Sequence, residues 1–397
     1  MLNKSFSPWP SFTEEEADAV RDVLLSNKVN YWTGQECREF EKEFATFSDS
    51  EFAIALANGT VALDLILQGL GVGAGDEVVV TSRTFLASVS SIVMAGATPV
   101  FADVDLDSQN VTAETIAAVV TPKTRAIICV HLAGWPCDMD PIMELAKQHD
   151  LFVIEDCAQA HGAMYKGRSV GSIGHAGAWS FCQDKIMTTG GEGGEGGVVT
   201  CNDRDLWSRM WSFKDHGKSW SAIYEREHPP GFRWLHESFG TNWRMTEMQG
   251  VLGRIQLTRM ADWRSARQAN AQAIWDTASS LPGLRVPQVP DELEHAAYKC
   301  YVFVEPETLA DGWNRDRILG AIVEAGVPCF SGSCSEVYLE KAFDNTGWRP
   351  ELPLPVAHEI GETSLMFLVH PTLTKAEIEK TCRVLAAVME RAVSDHV

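Results

Sequence analysis

Between residues 52 and 201, short apolar runs alternate with longer segments whose apolar residues recur at helical spacing. The apolar runs predict strands at 52–55, 78–80, 99–101, 125–131, 151–154, 178–181 and 198–201. The segments between them predict helices at 61–70, 86–94, 113–120 and 141–149. Because strands that alternate with helices usually form a parallel sheet covered on both faces, we predict an α/β fold with a mostly parallel central sheet.

The segments on either side of this region predict further helices and a second unit. Thr13 begins a capping-box pattern that predicts a helix before the sheet, and residues 246–281 have the apolar spacing of one long helix. A compact α+β unit is expected after it, with strands at 301–304 and 328–330 and helices at 315–325 and 375–392. We therefore expect a large domain over residues 1–255 and a smaller C-terminal α+β domain over residues 256–397.

The 397-residue chain is acidic, with a formal net charge of −21. General affinity for nucleic acid or an anionic membrane requires a basic face, so this charge argues against both partners. No apolar run reaches the roughly 18 residues of a membrane span, and the chain starts without a signal-peptide pattern. The ten cysteines include no CxxC pair. We expect a cytoplasmic protein with reduced thiols and no metal site.

An acid and a lysine follow two of the predicted strands. Asp156 comes after the apolar run 151–154, and Lys185 comes after the run 178–181. Ligands of open α/β sheets bind at the carboxyl ends of the strands. Pyridoxal phosphate needs a lysine to hold its aldehyde and a carboxylate to keep its pyridine nitrogen protonated. Each residue alone has a commoner explanation, a surface lysine or a turn-capping aspartate, so the interpretation depends on the pair.

Two further segments suit the phosphate and the ring of that cofactor. Gly59 and Thr60 stand between a predicted strand and a predicted helix, where backbone N–H groups favour an anion. The hydroxyl of Ser180, close to Lys185 in sequence, could add a donor. Phe85 follows another strand end and could stack on a flat heterocycle, although an ordinary core aromatic is an equal alternative.

Six sequence segments together resemble one known family. They are ANGTVAL at 57, TSRTFLAS at 81, IEDCAQAHGAMYKGRSVGSIG at 154, WSFCQDK at 179, GTNWRM at 240 and HAAYKCYVFV at 295. The chain is similar over nearly its whole length to the DegT/DnrJ/StrS sugar aminotransferases, which are fold-type-I pyridoxal phosphate enzymes. The resemblance implies that fold, that cofactor and a homodimer.

The resemblance also implies residue roles around the cofactor ring. Lys185 would bond to the cofactor, and Asp156 would pair with its pyridine nitrogen. Gln159 would contact the ring hydroxyl, and Phe85 would stack on the ring.

The phosphate of the cofactor would be held by two protomers. Ser180 and the backbone of Gly59 and Thr60 would bind it from one protomer. Asn242 would reach the phosphate of the other subunit, which implies a two-fold dimer with shared active sites.

Lysine at position 185 favours transamination, because a dehydratase branch of the family carries histidine there. The resemblance implies L-glutamate as the amino donor and a nucleotide-linked keto-deoxysugar as the acceptor. The product would be an amino sugar for a surface polysaccharide, such as lipopolysaccharide O-antigen, or for a glycosylated metabolite. Candidate partners for the diphosphate are Lys214, Lys218, Arg83 and Arg244, each with the alternative of a solvated surface charge.

One segment departs from the family pattern. Residues 190–197 read GGEGGEGG, as if Glu-Gly-Gly were duplicated, and we expect the extra residues to bulge into solvent and leave Lys185 in place. This segment keeps open the alternative of a non-catalytic binding protein on the same fold. A dehydratase or lyase and an aminotransferase for a carbocyclic ketone also remain open.

Overall fold

The computed structural model describes residues 5–190, 195–228, 230–231 and 233–393. Its fourteen described strands, in chain order, are β1 Phe52–Leu56, β2 Glu77–Thr81, β3 Thr98–Ala102, β4 Thr124–Val130, β5 Phe152–Asp156, β6 Met164–Tyr165, β7 Arg168–Ser169, β8 Ala176–Ser180, β9 Gly197–Cys201, β10 Leu284–Arg285, β11 Leu293–Glu294, β12 Cys300–Val304, β13 Cys329–Phe330 and β14 Ser364–Phe367.

Seven of these strands form the central sheet, in the order β1-β9-β8-β5-β4-β2-β3. The neighbours from β3 to β8 pair in parallel, whereas β9 is antiparallel to β8 and to β1. The prediction of a mostly parallel sheet is therefore confirmed. The carboxyl ends of β4, β5 and β8 meet at one edge, and the segment that carries Lys185 connects β8 to β9 at that edge.

Thirteen α-helices are described: α1 Glu14–Leu25, α2 Glu36–Phe47, α3 Gly59–Leu70, α4 Ala87–Met94, α5 Ala113–Ala117, α6 Met139–His149, α7 Arg204–Lys214, α8 Trp220–Tyr224, α9 Glu247–Leu257, α10 Met260–Ser279, α11 Arg315–Glu324, α12 Pro355–Thr363 and α13 Lys375–Ala392. Thr13 caps α1 in a capping box with Glu16, as its sequence pattern predicts. None of the described helices is long and apolar enough to cross a membrane.

Both faces of the central sheet are buried. Along β4, Ala126 and Ile128 pack into the core on one face, whereas Ile127 and Cys129 pack into a separate core on the other. Successive side chains of a strand point to opposite faces, so a continuous apolar run is the pattern of a strand that is covered twice. Because both faces of these strands are buried, short uninterrupted apolar runs in the sequence predict their positions.

The prediction of a single long helix over residues 246–281 is wrong, because the structure has two helices there, α9 and α10. The turn between α9 and α10 is closed by the Thr258 hydroxyl, which donates to the carbonyl of Ile255 at 2.7 Å. Arg259 then forms ion pairs with Glu15 and Glu16 of α1. These contacts with α1 favour a break between α9 and α10. The helical spacing of apolar residues in the sequence carries no information about them.

A second sheet, in the order β10-β12-β14-β13, is antiparallel throughout. It packs with α10, α11 and α13 around a core of its own. The predicted strands at 301–304 and 328–330 correspond to β12 and β13. The domain boundary between residues 255 and 256 stays a prediction.

Candidate active site

Asp156 and Lys185 lie at the same edge of the central sheet. Asp156 is the last residue of β5 and only 5% exposed, and Lys185 follows β8 with its side chain 15% exposed. Burial raises the pKa of the Asp156 carboxyl, and the positive charge of Lys185 acts against that rise. The structure thus brings together the acid and the lysine that the sequence singles out.

The Asp156 carboxylate is buried and hydrogen-bonded. Burial raises its pKa above the usual value, opposed by the Ser88 hydroxyl, the Ala158 amide and the charge of Lys185. Ser88 Oγ donates to Oδ2 at 2.8 Å, and the Ala158 amide donates to Oδ1 at 3.1 Å. A buried carboxylate held in this way is prepared to accept a cationic N–H group, which would lower its pKa.

His131 and Glu155 form hydrogen bonds that hold the strand end at Asp156 in place. Sequence reasoning did not identify this role for either residue. The His131 amide donates to the Asp156 carbonyl at 3.1 Å. His131 Nδ1 accepts from the Cys137 amide at 2.9 Å, so Nε2 carries the proton and donates to Glu155 at 3.0 Å. Burial would raise the pKa of Glu155, but His131 and the Gly174 and Gly171 amides hold it below its usual value. The position of His131 directly after β4 was the signal available in the sequence.

The same histidine and glutamate lie close to Cys157 in a potential metal-ligand cluster. The ligand atoms of His131, Glu155 and Cys157 are within 4.8 Å of one another. Both ring nitrogens of His131 and both oxygens of Glu155 already have hydrogen-bond partners in the protein. The cluster therefore functions as a hydrogen-bonded support for the strand ends.

The start of α3 and the end of β8 form a close contact. Asn58 caps α3, and its side chain accepts from the Val61 amide at 3.0 Å. A Cβ atom added to Gly59 would lie 2.5 Å from Cβ of Ser180 and 3.0 Å from its hydroxyl oxygen. Thr60 is exposed in the first turn of the helix. The structure therefore brings the backbone N–H groups of this turn close to the Ser180 hydroxyl, and their binding of a phosphate stays a prediction.

Gln159 and Phe85 also lie near the strand ends. Oε1 of Gln159 accepts from the Ala133 amide at 2.7 Å, so the NH₂ end of the side chain is oriented to donate. Phe85 precedes α4 and is 72% exposed. Such exposure excludes the alternative of an ordinary core aromatic and leaves its ring available for stacking.

Asn242 lies at the surface. It is exposed and forms an isolated antiparallel bridge with Asp215. This backbone pairing holds Asn242 in position and leaves its side chain exposed to solvent. The position allows contact with a second protomer.

The expectation that Arg83 binds a diphosphate is wrong, and so is its alternative of a surface charge. Arg83 has no exposed surface. Its guanidinium donates to Gln109 at 2.9 Å and to Ser364 at 3.2 Å, and it lies over the ring of Tyr301. Arg83 therefore links the central sheet to the second sheet and has no path to a substrate.

Lys214, Lys218 and Arg244 gather around acidic partners and are not solvated surface charges. Lys214 is fully buried, 3.3 Å from Glu41 and 3.8 Å above the ring of Tyr31. Lys218 donates to Asp215 at 2.8 Å, and Arg244 binds the same carboxylate. Lys214 is therefore excluded from binding a diphosphate, whereas for the partly exposed Arg244 and for Lys218 that role stays a prediction.

Three neighbours of Lys185 were missed by sequence reasoning. Nε1 of Trp9 donates to the Lys185 carbonyl at 2.8 Å. The ammonium group lies 5.2 Å from the ring centre of Tyr298 and 3.8 Å from Asp184, whose carboxylate accepts a hydrogen bond from the Tyr298 hydroxyl. Along the chain, Trp9 is 176 residues from Lys185, and Tyr298 is 113 residues from it. Local patterns cannot reveal such contacts.

The extended glycine segment is partly described. Residues 191–194, where the extra residues were expected to bulge into solvent, lie outside the described residues. On either side of them, the Phe181 amide donates to the Gly196 carbonyl at 2.8 Å, and the Thr189 hydroxyl donates to the Glu195 carbonyl. The ends of the segment are therefore tied together, and Lys185 keeps its place beside the strand ends.

Comparison with known proteins agrees with this geometry. A model of the DegT/DnrJ/EryC1/StrS aminotransferase family matches residues 10–386. The X-ray structure of an aminotransferase from Psychrobacter cryohalolentis is 66% identical and covers 97% of this chain and 99% of its own, with a TM-score of 0.95. GDP-perosamine synthase from Escherichia coli O157:H7 is 33% identical, covering 94% of this chain and 95% of its own length. Spr1654 from Streptococcus pneumoniae, in its PLP form, is 26% identical, covering 99% and 100%, with a TM-score of 0.83.

The matches extend over almost the whole chain and include both sheets. They confirm the fold-type-I α/β architecture, and aminotransferases of this family use pyridoxal phosphate. Family membership also favours an enzyme over a non-catalytic binding protein on the same fold. The chain is therefore an aminotransferase and belongs to the DegT/DnrJ/EryC1/StrS aminotransferase family.

Proposed function

We propose that this protein transfers an amino group from L-glutamate to the keto group of a nucleotide-linked keto-deoxysugar, in the biosynthesis of an amino sugar. The observation that carries the proposal is the buried Asp156 carboxylate beside Lys185 at one sheet edge. The similarity to GDP-perosamine synthase, whose product is a nucleotide-linked amino sugar by its name, supports a nucleotide-linked acceptor.

The residues at the sheet edge fit pyridoxal phosphate. Because Gly59 has no side chain, α3 begins close to Ser180, and the backbone N–H groups at the start of α3 are open to a phosphate. Asp156 would hold the ring nitrogen, Gln159 the ring hydroxyl, and Phe85 the ring face. When bound, pyridoxal phosphate supplies an electron sink that stabilises negative charge at the reacting carbon.

Lys185 carries out the proton transfers in this proposal. Its Nζ takes the proton from the α-carbon of the amino donor and, in the second half-reaction, delivers a proton to the sugar carbon. Asp184 and the ring of Tyr298 keep the Nζ atom at the mouth of the site, where it takes up a proton as the neutral amine and returns it as the ammonium group. The Trp9 indole, bound to the Lys185 carbonyl, holds the backbone in place.

A homodimer with shared sites completes the proposal. Asn242 is exposed, so its side chain can bind the phosphate in a second protomer. Phe239 and Trp234, which precede it, are 98% and 81% exposed. Large exposed apolar side chains of this kind are typical of a contact surface between proteins.

The test combines the purified protein, pyridoxal phosphate and L-glutamate with 4-keto-6-deoxysugars linked to different nucleoside diphosphates. The proposal predicts 2-oxoglutarate and amino sugar in equal amounts, and neither product with Lys185→Ala. Loss of a hydroxyl group from the sugar without 2-oxoglutarate would indicate a dehydratase. Amination of a carbocyclic ketone such as an inosose, with no nucleotide sugar accepted, would indicate the carbocyclic alternative.

A further inference from the structure

Tyr298 is the centre of a group of charged residues around the mouth of the site. Its buried ring lies 5.2 Å from the ammonium nitrogen of Lys185 and 4.6 Å from that of Lys299. Its carbonyl accepts from Nη1 of Arg267 at 3.3 Å, and its hydroxyl donates to Asp184. Three cations and one carboxylate therefore surround one side chain.

The positive charge in this group is not balanced. In the described part of the chain, Lys299 forms no hydrogen bond or ion pair, although it is half-buried. Arg267 is 1% exposed, and its Nε and Nη2 atoms have no hydrogen-bond partner. Asp184 already accepts from Tyr298, and its side chain is 58% exposed, so water screens its charge.

Unpaired cations away from water are unfavourable, and this cost lowers their pKa. Burial lowers the pKa of Lys299 to about 8, with the charges of Arg267 and Lys185 adding to the effect against that of Asp184. Burial likewise lowers the pKa of Arg267 to about 9. An anion placed between Lys299 and Lys185 would relieve this cost, so the arrangement suits an anionic substrate group.

The position of the group selects which substrate anion fits. In an amino acid, the carboxylate is attached directly to the carbon whose proton Lys185 removes. In a nucleotide sugar, the sugar ring separates the diphosphate from the keto carbon. An anion site that shares one aromatic ring with Lys185 therefore matches a carboxylate better than a diphosphate.

We propose that Lys299 binds the α-carboxylate of the amino donor, with the buried Arg267 behind it supplying additional positive potential. This inference rests on the proposed use of an amino acid donor. It makes Lys299 a binding residue that acts in the first half-reaction only, because the keto sugar carries no carboxylate at its reacting carbon.

The experiment separates the two half-reactions in the protein loaded with pyridoxal phosphate. Stopped-flow absorbance measures the reaction with L-glutamate, and a second mixing measures the reaction of the aminated protein with the keto sugar. For Lys299→Met, the glutamate concentration for half-maximal rate should rise about 10- to 100-fold, the usual effect of losing one charged hydrogen bond. The sugar half-reaction should change less than about twofold, and Lys299→Arg should recover part of the glutamate binding.

Lys375→Met is the matched control, because Lys375 is 92% exposed at the start of α13 and pairs with Glu379 of the same helix. It should leave both half-reactions unchanged. Circular dichroism melting of each variant shows whether the fold persists.

A binding measurement without turnover completes the test. Glutarate, a dicarboxylate that carries no amino group, should bind the wild-type protein in calorimetry and bind Lys299→Met at least about tenfold more weakly. Unchanged glutamate and glutarate binding in Lys299→Met would overturn the proposal. An effect confined to the sugar half-reaction would overturn it as well and assign Lys299 to the diphosphate. If the wild-type protein reacted with no amino acid, the proposed function would fail, and glutarate binding alone would then decide the role of Lys299.

Discussion

Asp156 and Lys185 are the two residues on which the site depends, and their environments differ. Asp156 is enclosed and hydrogen-bonded to Ser88 and Ala158, whereas Lys185 lies at the mouth of the site against Tyr298. A fixed acid and a more accessible amine are what a reaction requires if one group holds a ring nitrogen and the other moves protons.

Asp156→Asn tests the role of the acid. The amide has nearly the same shape but no charge, so it cannot keep the ring nitrogen of the cofactor protonated, and the rate should fall by orders of magnitude. Single-turnover kinetics with L-glutamate measure this change, and light scattering checks that the assembly is intact. A rate close to that of the wild-type protein would refute the assigned role.

The pH dependence of donor binding tests Lys299. The groups that face it are Asp184, Lys185, Arg267, Tyr298 and His370. Because the pKa of Lys299 is lowered to about 8, it is a cation below pH 8 and neutral above it. The apparent affinity for glutarate should therefore be highest below pH 8 and fall as the pH rises through that value. In Lys299→Arg, which stays charged, the fall near pH 8 should be absent; an identical fall near pH 8 in both proteins would contradict the assignment.

Sequence reasoning found some of these residues and missed others for a physical reason. Asp156 and Lys185 follow apolar strands, and a strand end is a local signal. Tyr298 and Trp9 contact Lys185 from distant segments, and local patterns carry no information on such contacts. Arg83 was misassigned because a charged residue after a strand is usually exposed, whereas here Gln109 and Ser364 hold it in the interior.

At the scale of secondary structure, the contact between the start of α3 and the end of β8 positions the phosphate-binding turn. The close approach requires glycine at position 59, because Cβ of Ser180 occupies the space that a side chain would need. Strands could be located from the sequence because both faces of the sheet are covered. The break between α9 and α10 could not, because contacts with α1 favour it.

Gly59→Ala tests this contact. The added methyl group would lie 2.5 Å from Cβ of Ser180, so α3 or β8 must shift, at a cost of about 1–3 kcal/mol. We expect the affinity for pyridoxal phosphate to fall about tenfold or more, as measured by fluorescence titration. Gly320→Ala in α11 is the control, because a Cβ there meets nothing within 4 Å and alanine favours a helix. Equal cofactor affinity in both variants would argue against the close contact.

For the whole molecule, the site lies where the central sheet, the N-terminal segment and the second sheet meet. Trp9 comes from the N-terminal segment, and Tyr298 and Lys299 directly precede β12 of the second sheet. The chain carries a net charge of −21, yet cations predominate at this place. Anionic substrates are therefore attracted to one local region of an otherwise acidic protein.

Complementation between protomers tests the shared site. Lys185→Ala and Asn242→Asp should each be inactive alone, the second because its carboxylate would repel the phosphate in the other protomer. Mixing them under conditions of subunit exchange should form dimers in which one site carries both changes and the other carries neither. Activity should then return to about a quarter of the wild-type value, given random pairing. No recovery despite demonstrated exchange would contradict the sharing of sites.

The assignment of Lys185 can be measured most directly by trapping the cofactor. The protein is mixed with pyridoxal phosphate, treated with borohydride to make any bond to a lysine permanent, digested and analysed by mass spectrometry. Two half-buried lysines, Lys185 and Lys299, lie against the same ring, so the measurement distinguishes between close neighbours. We predict that the label is found on Lys185 and that L-glutamate, added before borohydride, removes it. A label on Lys299, or one on Lys185 that glutamate leaves unchanged, would contradict the account.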